Sequence, residues 1–129
     1  MKKQFVALAL GFMTVASFAQ KKEIKTAEKA VKKQNFSAAV EAINSAEALI
    51  ANADSKLKSK FYYVKGQAFA GKQDYKTAAS AFNELLAFEK QTGKDRYSSK
   101  AKPILSKMIN DVSRKAINQY NAKDYKNAT

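Results

Sequence analysis

Apolar residues recur at every third or fourth position from Glu23 onward, which is the period of an amphipathic helix. No stretch alternates apolar and polar residues in the way that predicts a half-buried strand. The pattern therefore predicts an all-α fold. Helices are expected at residues 22–33, 36–51, 57–70, 75–90 and 100–121, and a sixth is expected to begin at residue 125.

Turn-forming residues separate these segments. Gln34 and Asn35 lie between the first two helices, and Gly93 lies in the loop after the fourth. Gly71 is expected just past the end of the third helix, with the positive φ that glycine adopts without steric cost.

Three stretches of the chain resemble one another, because each leads through a turn to an aromatic residue that an alanine follows three positions later. They are residues 33–39 (KQNFSAA), 72–78 (KQDYKTA) and 122–128 (AKDYKNA). The aromatic residues Phe36, Tyr75 and Tyr125 are 39 and 50 positions apart. Self-similarity at such a period predicts an array of helical hairpins.

The middle unit resembles a tetratricopeptide repeat, with a large aromatic and a small residue on its first helix and Tyr-x-x-Ala opening its second. This resemblance implies a short right-handed solenoid of stacked helix pairs, with units at about 22–56, 57–98 and 100–129, the last truncated. The packing positions that it implies are Phe36, Ala39, Tyr62, Gly66, Phe69, Tyr75, Ala78, Phe82, Ala116, Tyr125 and Ala128. An irregular helical bundle, with the same aromatics as ordinary core, is the alternative.

In this repeat family the first helix of each unit lines a concave groove that binds a protein or peptide segment. The resemblance places Ile24 and Glu28 there in the first unit. Its candidate binding residues in the later units are Lys60, Tyr63, Gln67, Asn110, Ser113 and Asn121. Equally, these could be ordinary exposed helix residues.

The N-terminus has the pattern of a secretory signal peptide over residues 1–19. Lys2 and Lys3 precede an apolar stretch, and small residues precede a cut that leaves Gln20 first. The apolar run is shorter than the roughly 20 residues that span a bilayer, which disfavours the alternative of a membrane anchor. The pattern predicts an exported protein, periplasmic or associated with the outer envelope of a bacterium.

The composition narrows these possibilities. The chain has no cysteine, so a lipoprotein anchor and disulfides are excluded. Its net charge is +13, or +11 without Lys2 and Lys3, and almost all of its basic residues are lysine. Either this is a soluble lysine surface, or it attracts anionic partners such as acidic lipid or glycan. Nucleic acid is not favoured, because most aromatics occupy packing positions.

No catalytic, metal or cofactor site is predicted. The absence of histidine and cysteine removes the commonest general base, the thiol nucleophile and the usual zinc ligands. Residues 66–73 resemble a phosphate-binding loop, but Gln73 stands where the magnesium-binding hydroxyl is required. The sequence thus predicts a non-enzyme with no small-molecule substrate.

Three functions remain open. The first is a protein-interaction scaffold of the envelope that binds a peptide in its groove. The second is a lysine-rich module for polyanions or anionic membrane surfaces. The third is the N-terminal arm of a longer protein, because the third unit stops at Thr129 shortly after its second helix is expected to begin. We expect the natural chain to continue with the rest of that unit.

Overall fold

The computed structural model describes residues 18–127, with side chains described as far as residue 123. Residues 18–32 are helical (α1), followed by α2 (Phe36–Glu47), a 3₁₀ turn (Ile50–Asn52), α3 (Ser55–Gly71), α4 (Tyr75–Thr92) and α5 (Ser98–Asn127). Within this range there is no strand, and the prediction of an all-α protein is confirmed.

The turns α1–α2 and α3–α4 have the same geometry, 39 residues apart. Gln34 and Gln73 adopt positive φ angles of 58° and 61°. The N–H groups of these residues and of the residues after them reach back to carbonyls of the preceding helix, at 2.9 to 3.0 Å. The next helix is then capped by Asn35 or Asp74, whose side-chain oxygen accepts from the third backbone N–H.

The positive φ therefore belongs to Gln73, and the prediction that Gly71 supplies it is wrong. Gly71 is the last residue of α3 and has no side chain for a different reason. A β-carbon there would overlap the ring of Phe36, which packs on the end of α3 from the start of α2. Gly93 lies directly after α4, as predicted, and has a φ of 66°, which was not predicted.

Side-chain contacts show how neighbouring helices run. Tyr62 in the middle of α3 lies 6.2 Å from Phe88 near the end of α4, measured between ring centroids. Gly66, further along α3, faces Phe82, whose ring a β-carbon at that glycine would overlap. α3 and α4 are therefore antiparallel, and Gly66 has the small-residue role that was predicted for it.

The buried side chains form two main clusters, and α3 belongs to both. The first joins α1, α2 and α3 and contains Ile24, Ala27, Ala42, Ile43, Ala46, Phe61 and Val64. The second joins α4 and α5 through Ala78, Phe82, Leu85, Ala101 and Met108, against which Tyr62, Tyr63 and Phe69 of α3 are packed. α3 is thus the central helix, covered on two sides.

α5 corrects the prediction for the third unit. It continues without a break through residues 122–124, where a turn was expected, and Lys123 has no positive φ. Ala116, predicted to pack, is exposed. The left-handed residue of such a turn costs about 1–2 kcal/mol. At the first two turns the packing of Phe36 and Tyr75 offsets this cost. Near Ala116 the surface of α5 is exposed, so among the described residues no comparable packing stabilises a third turn.

Some of the predicted features involve residues that the structure does not describe. Most of the predicted signal peptide (residues 1–17), the side chain of Tyr125 and Ala128 lie outside the described residues. Of the helices in the described range, none is both long enough and apolar enough to cross a bilayer.

Candidate functional site

A groove of about 230 Å³ lies where α1, α3 and the start of α5 meet. Three predicted binding residues, Lys60, Tyr63 and Gln67, line it from successive turns of α3. Glu28 of α1, the groove residue predicted in the first unit, also lines it. The remaining lining residues are Val31 and Lys32 of α1, Val64 of α3, and Tyr97 and Lys100. We refer to it as the α3 groove.

Two stacked tyrosines form the aromatic part of the α3 groove. The rings of Tyr63 and Tyr97 are 4.9 Å apart at their centroids, with 20° between their planes. The ring of Tyr63 also packs against the buried ring of Phe82, with 6.3 Å between the two ring centroids. Burial, and secondarily the neighbouring Tyr97, raises the pKa of Tyr63, so its hydroxyl stays protonated at neutral pH. The groove therefore has a fixed aromatic wall with a hydrogen-bonding hydroxyl.

Positive charge predominates in the α3 groove. Glu28 is bridged by Lys60 at 2.7 Å and by Lys32 at 3.7 Å. The hydrogen bond from Lys60 lowers the pKa of Glu28, although burial opposes this. The Lys100 ammonium lies 5.9 Å from the centroid of the Tyr97 ring. One carboxylate thus faces three ammonium groups, which favours a ligand with acidic groups.

The positive surface continues along α1 and α3. A second cavity of about 450 Å³ shares Glu28 and Lys60 with the α3 groove and extends to the start of α3. Its other lining residues are Lys21, Ile24, Lys25, Asp54, Lys56 and Leu57. Ile24, predicted to lie on the groove surface, is fully buried in the first core and contributes only to the floor.

A buried carboxylate positions Tyr97. Glu89 of α4 is only 2% exposed, and its oxygens accept from the backbone N–H groups of Tyr97 (3.1 and 3.2 Å) and Ser98 (2.9 Å). They also accept from the Ser98 hydroxyl at 2.6 Å. The negative charge thus lies at the positive end of the α5 dipole and fixes where α5 begins.

The ionisation of Glu89 reflects this environment. Burial raises the pKa of its carboxyl, but the hydrogen bonds from Ser98, Tyr97 and Ser59 outweigh burial, so the net shift is downward. Glu89 is therefore a charged structural group at neutral pH rather than a proton donor.

The other predicted binding residues do not reach the α3 groove. Asn110 and Asn121 are exposed further along α5, and Ser113 lines a different cavity, between α4 and α5. Their positions were predicted by aligning the third unit on a turn expected just before Tyr125, and α5 continues through that position without a turn. The register of α5 is set instead at its beginning, which brings Tyr97 against Tyr63.

Tyr97, Lys100 and Glu89 were missed from the sequence. One signal for Glu89 was available, because it continues the buried stripe of Phe82 and Leu85 along α4. A carboxylate at a core position must be hydrogen-bonded. Tyr97 carries no comparable signal, because its position depends on the path of the loop before α5.

The arrangement is suited to binding. It offers an aromatic wall, the amide of Gln67 and several ammonium groups along the α3 groove. The comparisons add no relative: no protein-family model, no curated protein and no solved structure matches the chain. The resemblance to tetratricopeptide repeats therefore stays a prediction.

Proposed function

We propose that the chain is an exported helical-repeat scaffold of tetratricopeptide type, which binds an extended peptide segment of a partner protein in the α3 groove. Its helix pairs would stack as a short right-handed solenoid. The duplicated turns support the repeat, since the same hydrogen bonds and the same positive φ recur 39 residues apart.

The location of the first core supports export of the chain from residue 20 onward. Gln20 is buried and donates its side-chain amide to the Leu49 carbonyl, and Ile24 is fully buried. Packing thus begins at the residue that the predicted cleavage would leave first. A bacterial periplasm or outer envelope remains the proposed location.

The observation that carries the binding proposal is the convergence of Lys60, Tyr63 and Gln67 with Tyr97 and Lys100. The first three side chains come from α3, Tyr97 comes from the loop before α5 and Lys100 from α5 itself, yet all five line the α3 groove. An extended peptide can lay its side chains against a tyrosine wall while its amides meet Gln67 and its carboxylates meet the lysines.

The proposal is tested by selecting random peptides displayed on phage against the protein and measuring the affinity of a selected peptide by fluorescence anisotropy. We expect the double variant Gln67→Ala/Lys100→Ala to weaken this peptide at least tenfold, about 1.4 kcal/mol. The variant Lys29→Ala/Asn44→Ala, which removes one lysine and one amide from exposed positions outside the cavities described above, should bind like the unaltered protein.

Tyr63 is left intact in this test, because its contacts with Phe82 and Tyr97 make it part of the fold as well. Unchanged affinity in the Gln67→Ala/Lys100→Ala variant, with unchanged circular dichroism, would exclude the α3 groove as the binding site. Failure of any peptide to enrich would also count against it.

A second candidate function is binding of polyanions or anionic membrane surfaces. The cavity next to the α3 groove supports it, because Lys21, Lys25, Lys56 and Lys60 surround only two carboxylates there. Attachment to anionic vesicles would then be lost as salt shortens the Debye length from about 10 Å at 0.1 M to about 3 Å at 1 M. Retention at high salt would reject this candidate.

A further inference from the structure

A second surface of the molecule has the features of a docking site. Beyond its first turns α5 shows a stripe of large apolar side chains at helical spacing, with Ile109 64%, Ile117 58% and Tyr120 68% exposed. Val112 lies between them and is also exposed. Ile109 lies three positions before Val112, and Ile117 lies three before Tyr120. The exposed Ala116 lies four positions from both Val112 and Tyr120 and joins the two pairs into one strip, because side chains three and four positions apart share one face of a helix.

The strip leads into a groove between α4 and α5. This groove has a volume of about 410 Å³ and is separate from the α3 groove. Tyr75 and Ala79 of α4 form one wall, and Leu105, Met108 and Ile109 of α5 form the other. We call the groove and the strip together the α5 face.

The fold itself indicates what such a face accepts. Phe36, the counterpart of Tyr75 at the preceding turn, is packed against Gly71 at the end of a neighbouring helix. The central helix α3 is covered on two sides, by α1 and α2 and by α4 and α5. In the described residues α5 is packed against the core on one side, while its apolar strip is open. The strip has the width and period of a surface that packs against a helix.

The positive charge around the α5 face indicates which kind of helix can bind there. Between residues 102 and 123, α5 has five basic residues, Lys102, Lys107, Arg114, Lys115 and Lys123, against Asp111 alone. Lys76 lies on the groove itself. A second copy of the chain would bring the same positive charge and a net charge of +13, so pairing of two α5 faces is opposed by repulsion.

We propose that the α5 face binds an amphipathic helix of a partner protein, with large apolar side chains on one stripe and carboxylates on its flanks. The α5 face from Leu105 to Tyr120 is about 22 Å long at 1.5 Å per residue, which is about four turns of the bound helix. Apolar anchors supply affinity, and the acidic flanks supply orientation and discrimination.

The test uses two synthetic helical peptides of about 18 residues with the same leucine stripe, one with glutamate flanks and one with lysine flanks. Binding to the full chain is measured by fluorescence anisotropy. We expect the glutamate peptide to bind about tenfold or more tightly than the lysine peptide in 0.05 M salt, with the difference reduced in 0.5 M salt.

Substitutions then locate the site. Ile109→Ser/Tyr120→Ser should weaken the glutamate peptide at least tenfold, and it should leave the fold intact because both side chains are exposed. Asn118→Ser changes an exposed polar position on the opposite side of α5 from Ile109 and should leave binding unchanged.

Three results would overturn the proposal. The first is absence of binding by either peptide to a protein that sediments as a monomer. The second is equal affinity for the two peptides at low salt. The third is self-association that the Ile109→Ser/Tyr120→Ser variant abolishes, which would assign the α5 face to a second copy of the chain.

Discussion

At the scale of single residues, Glu89 positions Tyr97 of the candidate site although it does not itself line the α3 groove. A fully desolvated carboxylate is costly unless its oxygens are hydrogen-bonded. Here the start of α5 supplies those hydrogen bonds, and Glu89 in return satisfies N–H groups that a helix end leaves without partners. The same contacts hold Tyr97 against Tyr63, so the α3 groove depends on this residue.

Replacing Glu89 by glutamine should lower the free energy of unfolding by about 2 kcal/mol at neutral pH, because an amide presents a donor to the N–H groups of α5. Urea unfolding followed by circular dichroism measures this effect. Glu84→Gln, an exposed carboxylate on the same helix, should change stability by less than about 0.5 kcal/mol.

The effect of Glu89 should also depend on pH. Its pKa in the folded protein is lowered below the ordinary 4.5, so its stabilisation is fully present above that value and is lost as pH falls through the lowered pKa. The stabilities of the unaltered protein and of Glu89→Gln should therefore converge in acid. A constant difference from pH 7 down to pH 3 would contradict this account.

At the scale of elements, the α1–α2 and α3–α4 turns place a glutamine where glycine is the usual residue. Gln34 and Gln73 hold positive φ angles because the helix-ending hydrogen bonds of Ala30, Val31, Phe69 and Ala70 require them. The repeated residue order around these positions identified the turns from the sequence. The positive φ of the second turn was assigned wrongly to Gly71, because glycine is the residue that adopts such an angle without steric cost.

Gln73→Gly should raise the free energy of unfolding by about 1 kcal/mol, since glycine adopts a left-handed conformation without steric cost. Gln67→Gly, the same change within α3, should lower it by about 1 kcal/mol through lost helix propensity. Thermal unfolding of the two variants should therefore shift in opposite directions. A destabilised Gln73→Gly protein would show that the Gln73 side chain has a role beyond the turn.

At the scale of the whole molecule, packing is uneven. α3 contributes to both main cores, whereas the side chains of α5 from residue 112 to residue 123 are exposed. A helix stabilised only by its own hydrogen bonds opens easily in water. The part of the chain that the structure describes therefore has a well-packed body and a weakly supported helical extension, which carries most of the apolar strip of the α5 face.

Hydrogen exchange followed by mass spectrometry should show this difference. Amides of α3 and α4 should exchange slowest, and amides of α5 beyond Val112 should exchange faster by at least a hundredfold, because opening there breaks few tertiary contacts. Addition of the glutamate-flanked peptide should slow exchange in that part of α5. Uniform protection along α5 in the free protein would show that its second half is already covered.

The sequence alone determined the helical class, the approximate helix positions and the turns at Asn35 and Asp74, because these depend on interactions between residues a few positions apart. It also identified Gly66 as a close-contact position and four residues of the α3 groove, Glu28, Lys60, Tyr63 and Gln67.

Tertiary structure decided the rest. The pairing of Gly71 with Phe36, the role of Glu89 and the stacking of Tyr97 on Tyr63 depend on how the helices are arranged in space. The third turn was predicted from a local pattern that resembles the first two, yet α5 continues through it. A turn of this kind forms only where packing offsets its conformational cost, and packing is a property of the folded molecule.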